Sequence, residues 1–380
     1  MKIFVLGGDG FCGWPTSLRL AAEGHEIFVV DNLVRRRIDS DLQSNSLVPI
    51  ASIEDRIITA SSIIGSIRFE SCDISNEYAK LLKLFKTEKP DVVVHFAEQR
   101  SAPYSMISDV ERRFTMDNNV TGTSNVLNAI VESNPDIHLI HLGTMGVYGY
   151  SKEMGPIPEG YLDINLPITG NKKSILYPCN PGSVYHLTKC LDQLMFQYYN
   201  KNWNIRITDL HQGIVWGTET SETIKDQRLN NRFDYDGIYG TVLNRFICQA
   251  ASNIPLTVYG TGGQARAFIH ISDTANCISL AINHPPNESC VRIYNQVSEV
   301  HTVMDLANII KNTYGGEIQF LENPRNELSE NELEVDNAGL RSLGFNPLLL
   351  SSELVKDISN LAKEFKNNVK SENVINSPRW

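Results

Sequence analysis

The sequence predicts a doubly wound α/β fold: a parallel sheet with helices on both faces, carrying a smaller carboxy-terminal α/β cap. Three observations lead there. Short apolar runs alternate with helical stretches through the first half of the chain, and a glycine-rich turn follows the first of these runs. Past residue 212 the alternation gives way to a polar, unpatterned stretch. Repeated strand–helix–strand units imply right-handed crossovers onto one sheet, which bury both of its faces.

Taken in order, residues 3–6 read as the first strand and 15–23 as the first helix. Strands follow over 27–30, 67–71, 92–96 and 137–142, with a helix over 118–133 between the last two. A helix over 183–200 leads into a sixth run at 205–210. Residues 217–240 lack periodicity and read as a lid or substrate loop, because long unpatterned loops inside compact domains are usually functional or disordered. A helix over 241–252, a strand over 256–259 and helices over 303–314 and 351–367 complete the chain. Residues 1–212 are expected to form the main domain, and 213–380 a ligand-binding domain interleaved with it.

Bulk properties narrow the function. The 380 residues suffice for a sizeable core, and 42% hydrophobic with 21% charged residues is ordinary for a globular chain. A formal net charge of -10 disfavours a nucleic-acid partner, so an anionic ligand needs a local basic site. The seven cysteines show no CxxC pairs or metal spacing, so neither a disulfide framework nor a metal is expected. No apolar run approaches the roughly 18 residues that span a bilayer. Met1 and Lys2 lead straight into the first strand, and the expectation is a cytoplasmic chain without membrane insertion.

Gly7, Gly10 and Gly13 stand at G-x-x-G-x-x-G spacing between the first strand and the first helix. Such glycines permit a tight turn, let the backbone approach a pyrophosphate, and let helix and strand pack closely. This is the dinucleotide-binding turn of a Rossmann sheet. Asp31 ends the second strand, where an acid accepts both adenosine ribose hydroxyls and repels a 2′-phosphate, favouring NAD. Arg35, Arg36 and Arg37 leave two readings, a 2′-phosphate site or a solvated cluster. Asp73, past the third strand, is an adenine-side candidate.

Tyr185 and Lys189 lie four residues apart on a predicted helix and so share a face. An ammonium near a phenol favours the phenolate, and Lys189 can also bond the nicotinamide ribose. Thr144 follows the fifth strand, at the sheet end where open α/β sheets bind ligands, and its hydroxyl can bond the oxygen that Tyr185 deprotonates. With the run Asn119-Val120-Thr121-Gly122-Thr123, these features are similar to the extended short-chain dehydrogenase/reductase family, of the NAD-dependent epimerase/dehydratase type. The resemblance implies cofactor contacts also from Asp9, Phe11, Cys12, Asn32, Arg35, Ile74, Phe96, Ala97 and Asn119.

Within it, the 4,6-dehydratases carry Thr-Asp-Glu where this chain has Thr144, Met145 and Gly146, which disfavours dehydratase chemistry. Longer strings resemble the UDP-sulfoquinovose synthase family: GGDGFCGWPTSLRL, DNLVRR, PIASIEDRI, HFAEQRSAPYSM, LGTMGVYG, YHLTK, LNRF, VYGTGGQARAFIHISDT and NPR. One departure stands out, Val147 where that family is expected to carry glutamate.

The resemblance implies that UDP-glucose and sulfite yield a sulfonated UDP-sugar and water, through a 4-keto sugar and tightly bound NAD. Tyr185 removes the C4 hydroxyl proton while hydride passes to NAD; the ketone acidifies C5–H, water leaves from C6, sulfite adds there, and the hydride returns. Gln99, Arg100, Ser101 and His186 are the candidates for the sulfite end, and Met145, Gln212 and Thr241 for the sugar. Arg266 and Arg325 suit the diphosphate by bidentate bonding, with Arg245 a further candidate. The alternative readings are a structural ion pair for Arg100 and a packed helix histidine for His186. The C5 base is unassigned, with His186 one candidate; His141 is expected inside the sheet, Asp273 to hold its helix, and Lys172 and Lys173 to be solvated. A homodimer built on two helices, one carrying Tyr185, is also implied, with sulfite free or delivered by a protein partner.

Two other readings compete. A UDP-sugar 4-epimerase would need no anion site at C6, and AEQRSAPYS with GTMG disfavours it. A non-catalytic NAD-binding regulator would be expected to lose Tyr185 or Lys189, and both are present.

Overall fold

The computed structural model describes residues 1–150, 155–287 and 290–375. Strands β1 (Lys2–Leu6), β2 (Glu26–Asp31), β3 (Ile67–Ser71), β4 (Val92–His95) and β5 (His138–Thr144) fall within two residues of the sequence reading. Two more strands, Ile207–Gln212 and Val291–Gln296, complete a seven-stranded sheet in which every pairing is parallel. Its spatial order is Val291–Gln296, Ile207–Gln212, β5, β4, β1, β2, β3. The chain runs outward in one direction through β2 and β3 and in the other through β4 and β5. That reversal beside β1 opens a crevice at the carboxyl ends of the strands, where such sheets bind ligands.

Alternation along β1 builds both cores. Ile3 and Val5 face α1 (Gly13–Ala22) and the helix Ile271–Asn283, joining Leu18, Ala21, Ile278 and Ala281. Phe4 and Leu6 face the other way, onto Phe85, Leu127, Ile130 and Phe196. All four β1 side chains are fully buried, and each would remain so only with helices on both faces.

The second part packs on the crevice. Ile214–Trp216 runs parallel to Gly263–His270, which pairs antiparallel with Glu299–Thr302. Leu256–Tyr259 pairs with Ile318–Leu321. Around them Phe246, Leu256, Phe268, Leu306 and Ile310 form a separate apolar cluster. The chain then returns to the large sheet through Ile271–Asn283 and Val291–Gln296.

Three expectations change. The helix expected over 118–133 is Asp109–Met116 and Gly122–Ser133 joined by a π-helical turn, Asp117–Thr121. That turn carries buried Asn118 and Asn119, and such bulges recur at functional sites. The polar stretch 217–240 is folded inward: Phe233, Tyr235 and Tyr239 are buried, and the Trp14 indole donates to the carbonyl of Leu229 at 2.9 Å. Its buried charges Arg232 and Asp234 are paired, while Glu219, Lys225 and Arg228 stay exposed. The strands Gly263–His270 and Val291–Gln296 escaped the sequence reading because Gln264, Arg266, Arg292, Asn295 and Gln296 interrupt their apolar pattern. Among the described residues no helix is long and apolar enough to cross a membrane.

Candidate active site

The crevice is one continuous cavity running from Gly7 and Asp31 past Tyr185 to Arg266 and Arg325. At its first end the turn between β1 and α1 tolerates only glycine at two points. Gly7 has φ +77°, and a Cβ there would stand 2.7 Å from the backbone of Ala97. A Cβ on Gly13 would meet the Gly7 carbonyl oxygen at 2.2 Å. No side chain caps α1; the Trp14 amide bonds the Gly10 carbonyl and Pro15 has no N–H, so of the first turn the Gly13 amide is left to a ligand. Asp31 lines the cavity with its carboxylate fixed by the amides of Asp9 at 3.0 Å and Leu33 at 2.7 Å. These residues fit a dinucleotide pyrophosphate and ribose.

Phe11, Cys12, Asn32, Arg35, Ile74, Phe96 and Ala97 line the same end. Cys12 is a neutral thiol, pushed up to about 12 by burial. Three expected cofactor contacts do not line the cavity. Asp9 is buried and gives its carboxylate to Arg36, at 2.6 and 2.8 Å, and to Arg56, at 2.5 Å. Asp73 accepts from Asn32 and from the amides of Ser75 and Asn76, so it shapes a turn and orients Asn32. Asn119 accepts from the Gln99 amide and donates to the Gln99 carbonyl and Thr188, tying β4's loop to the Tyr185 helix. The arginine triplet is also corrected. Arg35 pairs with Asp39 and Asp234 and stacks on Tyr239, and Arg36 holds Asp9, so only Arg37 is a solvated charge. Neither paired guanidinium is left for a 2′-phosphate.

At the centre, the helix Val184–Trp203 starts with Ser183 capping the His186 amide, which aims its first turns at the end of β5. Tyr185, Lys189 and Thr144 come together there. Thr144 is among the groups that lower the Tyr185 pKa. The Lys189 ammonium lies 2.6 Å from the Leu142 carbonyl oxygen and 2.8 Å from Glu98. A low Tyr185 pKa was expected from Lys189 alone. Burial instead raises it, Lys189 lowers it, Glu98 raises it again, and the net direction is upward.

Gln99 and Ser101 line the cavity but spend their polar atoms on structure: Gln99 donates to the Ser101 carbonyl and Thr115, and Ser101 to the Ile238 carbonyl. Arg100 pairs with Asp234 at 2.6 Å and faces Phe11 and Tyr239, so the ion-pair reading holds in this state. His186 bonds Ser183 through Nδ1 at 3.1 Å. Burial, then Arg325 and Arg266, pull its pKa down to about 3, so it offers a neutral ring rather than a cation. Val147 sits in an apolar cluster with Met145, Tyr148 and Cys190 and does not line the cavity.

At the far end Gln212 donates to Thr274, while Arg266 stacks 3.9 Å over Tyr150 and pairs with Glu327. Arg245 stacks on Tyr259 and donates to the Thr257 carbonyl. Thr241 Oγ1, Arg245 Nε and Gln264 Oε1 are buried without a hydrogen-bond partner, and all three residues line this end. Buried polar atoms are rarely left without a partner, and a ligand or ordered water at this end would complete them. Met145 and Arg325 line it too. His141 is inside the sheet; Asp273 accepts from Ser298 and the Leu348 amide, and Lys172 and Lys173 are exposed. Sequence reasoning missed Glu98, Asp192 and Asp234. Isolated acids carry no local pattern, and all three gain meaning only from partners distant in sequence.

A model of the NAD dependent epimerase/dehydratase family matches residues 3–295. The chain is 43% identical to the chloroplastic UDP-sulfoquinovose synthase of Spinacia oleracea, over 100% of this chain and 79% of that protein. It is 38% identical to the UDP-sulfoquinovose synthase of Sulfolobus acidocaldarius, over 96% of this chain and 92% of that one. Among solved structures, the UDP-glucuronic acid 4-epimerase of Bacillus cereus, in complex with UDP-glucuronic acid and NAD, is similar with a TM-score of 0.71. It shares 21% identity, over 96% of this chain and 99% of that one.

Proposed function

The chain belongs to the NAD dependent epimerase/dehydratase family, and on that premise we propose that it converts UDP-glucose and sulfite to UDP-sulfoquinovose and water. It is an NAD-dependent enzyme that forms a carbon–sulfur bond. The observation that carries this reading is the near full-length likeness to two UDP-sulfoquinovose synthases, one from a plant and one from an archaeon. The epimerase reading has behind it relatives of lower identity, 22% and 24%, and fold-level likeness to solved structures.

NAD supplies the site with a hydride acceptor and donor. Gly7, Gly13 and the start of α1 would hold its pyrophosphate and Asp31 its adenosine ribose. The chain's own residues manage protons and charge. Tyr185 takes the C4 hydroxyl proton and later returns it, with Thr144 orienting that oxygen and Lys189 favouring the phenolate. Thr241, Arg245 and Gln264 offer the unsatisfied atoms that a nucleotide diphosphate would complete, beside Arg266 and Arg325. Sulfite would reach C6 by exchanging with Asp234 at Arg100, whose guanidinium lines the cavity. Gln99 and Ser101 shape that wall, and neutral His186 offers a hydrogen bond without a charge.

The enzyme works as a homodimer through the helices Asp109–Met116 and Val184–Trp203, which pack together and expose Val110, Leu187, Leu194 and Tyr198. Its cysteines among the described residues are free thiols, which suits a reducing, cytoplasmic setting. The test is mass spectrometry of the products from UDP-glucose and sulfite with added NAD. A sulfonated UDP-sugar that disappears in Tyr185→Phe is expected. UDP-galactose or a bare 4-keto sugar in its place would overturn the sulfite reading and favour the epimerase.

A further inference from the structure

Below Tyr185 lies a group of buried charges that the reaction scheme does not use. Glu98, three residues past β4, stands between two cations: its Oε2 is 2.8 Å from Lys189 Nζ and its Oε1 is 2.9 Å from His141 Nε2. His141 gives its other nitrogen to Asp209 at 2.8 Å, and Asp209 takes His211 at 3.0 Å. Asp192, on the Tyr185 helix, lies 3.6 Å from His141. His95 closes the remaining side, 3.7 Å from Glu98 and hydrogen-bonded to Thr123.

The charge states balance. Burial and Lys189 pull His141 down, yet Asp209 and Glu98 outweigh them and hold it at about 9, an imidazolium at neutral pH. Burial pushes Glu98 up, but Lys189 and His141 hold it below the carboxylate range, and His211 and His141 do the same for Asp209. Burial, then Glu98, push Asp192 well above that range, so it is a neutral acid. Burial pulls His95 down to about 3, leaving it neutral. Two cations therefore face two anions. Glu98, His141 and Asp192 also offer ligand atoms within 4.8 Å of one another, but the Lys189 ammonium already stands at Glu98 as the cation.

Glu98 lines the cavity as well as the cluster. We propose that Glu98 is a positioning residue of the site: its carboxylate fixes the Lys189 ammonium at the end of β5 and sets how much of that ammonium's field reaches the Tyr185 phenol. Lys189 pulls the phenol toward ionisation against its burial, and a phenolate that never holds a proton cannot return one. With Glu98 as counter-charge, Tyr185 can take and give back a proton across one turnover. The inference rests on reading Tyr185 and Lys189 as the working pair, and not on sulfite as substrate.

Tyrosine labelled with ¹³C at Cζ reports this directly by NMR titration of the full chain, with and without NAD. The Tyr185 resonance is assigned by its absence in Tyr185→Phe. The groups facing that phenol are Lys189, Glu98, Thr144 and Arg100, with the His186 ring at 5.2 Å. Removing an anion stabilises the phenolate, so Glu98→Gln is expected to move the Tyr185 midpoint down by about one pH unit. Glu98→Asp, which keeps the charge, should restore the midpoint to within about 0.3 units of the native chain. In the NAD-loaded enzyme turning over UDP-glucose, the acid limb of log kcat should move down by the same amount. Should Glu98→Gln not fold, Glu98→Gln with His141→Gln, which removes one charge of each sign, is compared with His141→Gln alone. An unchanged or raised midpoint in either comparison overturns the proposal, whatever product the enzyme makes.

Discussion

At the scale of single residues, the chemistry depends on how buried acids are neutralised. Asp31 shows the direction of the effect. Burial raises its pKa to about 6, and the neighbouring Asp9 charge adds to the rise. A ribose hydroxyl bound there would donate to the ionised carboxylate, so NAD binding would favour the ionised form and affinity should fall as pH drops through about 6. Isothermal titration should find NAD affinity nearly flat from pH 7 to 8 and weakening by up to about tenfold per unit below 6. Asp9→Asn should move that break to lower pH, because Asp31 loses a like charge. It should also cost about 3–5 kcal/mol, since it strips the carboxylate from fully buried Arg56. Equal affinity at pH 5 and 7.5 would show that Asp31 does not hold the ribose. Asp31, Tyr185 and Lys189 were legible because their spacing to a strand end or along a helix is local. Asp9 was misread for the complementary reason: Arg36 and Arg56 reach it only after the chain has folded back.

At the scale of elements, sequence reading succeeded where burial makes the pattern uniform. β1, β2 and β4 lie inside the sheet and read as continuous apolar runs, while the edge strand β3 reads by alternation. It failed on Gly263–His270 and Val291–Gln296, where Arg266 and Asn295 are buried against protein partners, Asn331 and the Ile157 carbonyl, instead of water. The π turn Asp117–Thr121 was invisible for a similar reason, since Asn119 is fixed by the Gln99 backbone rather than by helix propensity. The two helices that expose Val110, Leu187, Leu194 and Tyr198 carry a prediction of their own. Leu194 is exposed, so Leu194→Glu should change monomer stability by no more than about 0.5 kcal/mol. A carboxylate in the middle of the proposed dimer face should nevertheless shift sedimentation at micromolar concentration from dimer to monomer. A variant that sediments like the native chain would place the dimer contact elsewhere.

At the scale of the whole molecule, the polar stretch 217–240 acts as a strap that ties the large sheet's loops to the carboxy-terminal tail. Asp234 is its anchor, 3.1 Å from Arg35 at the cofactor end and 2.6 Å from Arg100 at the substrate end. Arg232 lies 3.9 Å from the same carboxylate and also reaches Asp39. Behind it, Tyr235 donates to the Asn368 carbonyl, Gly237 to the Asn373 carbonyl, and Asn368 to the Leu47 carbonyl. Apart from the Arg232–Asp234 pair, each of these bonds joins segments far apart in sequence, which composition cannot show. Asp234→Asn keeps the shape and removes the charge that Arg35, Arg100 and Arg232 share. Breaking a buried ion cluster on one side costs about 3–5 kcal/mol, which a urea titration would resolve as a lower midpoint with unchanged slope. Because Arg35, Arg100, Ile238 and Tyr239 all line the cavity, the same variant should release NAD at least about tenfold faster by dilution. Amide exchange over residues 231–240 should rise in step, since a strap without its anchor opens before the sheet does. A lower urea midpoint with unchanged NAD release and unchanged exchange would mean that Asp234 stabilises the fold without governing access to the cavity.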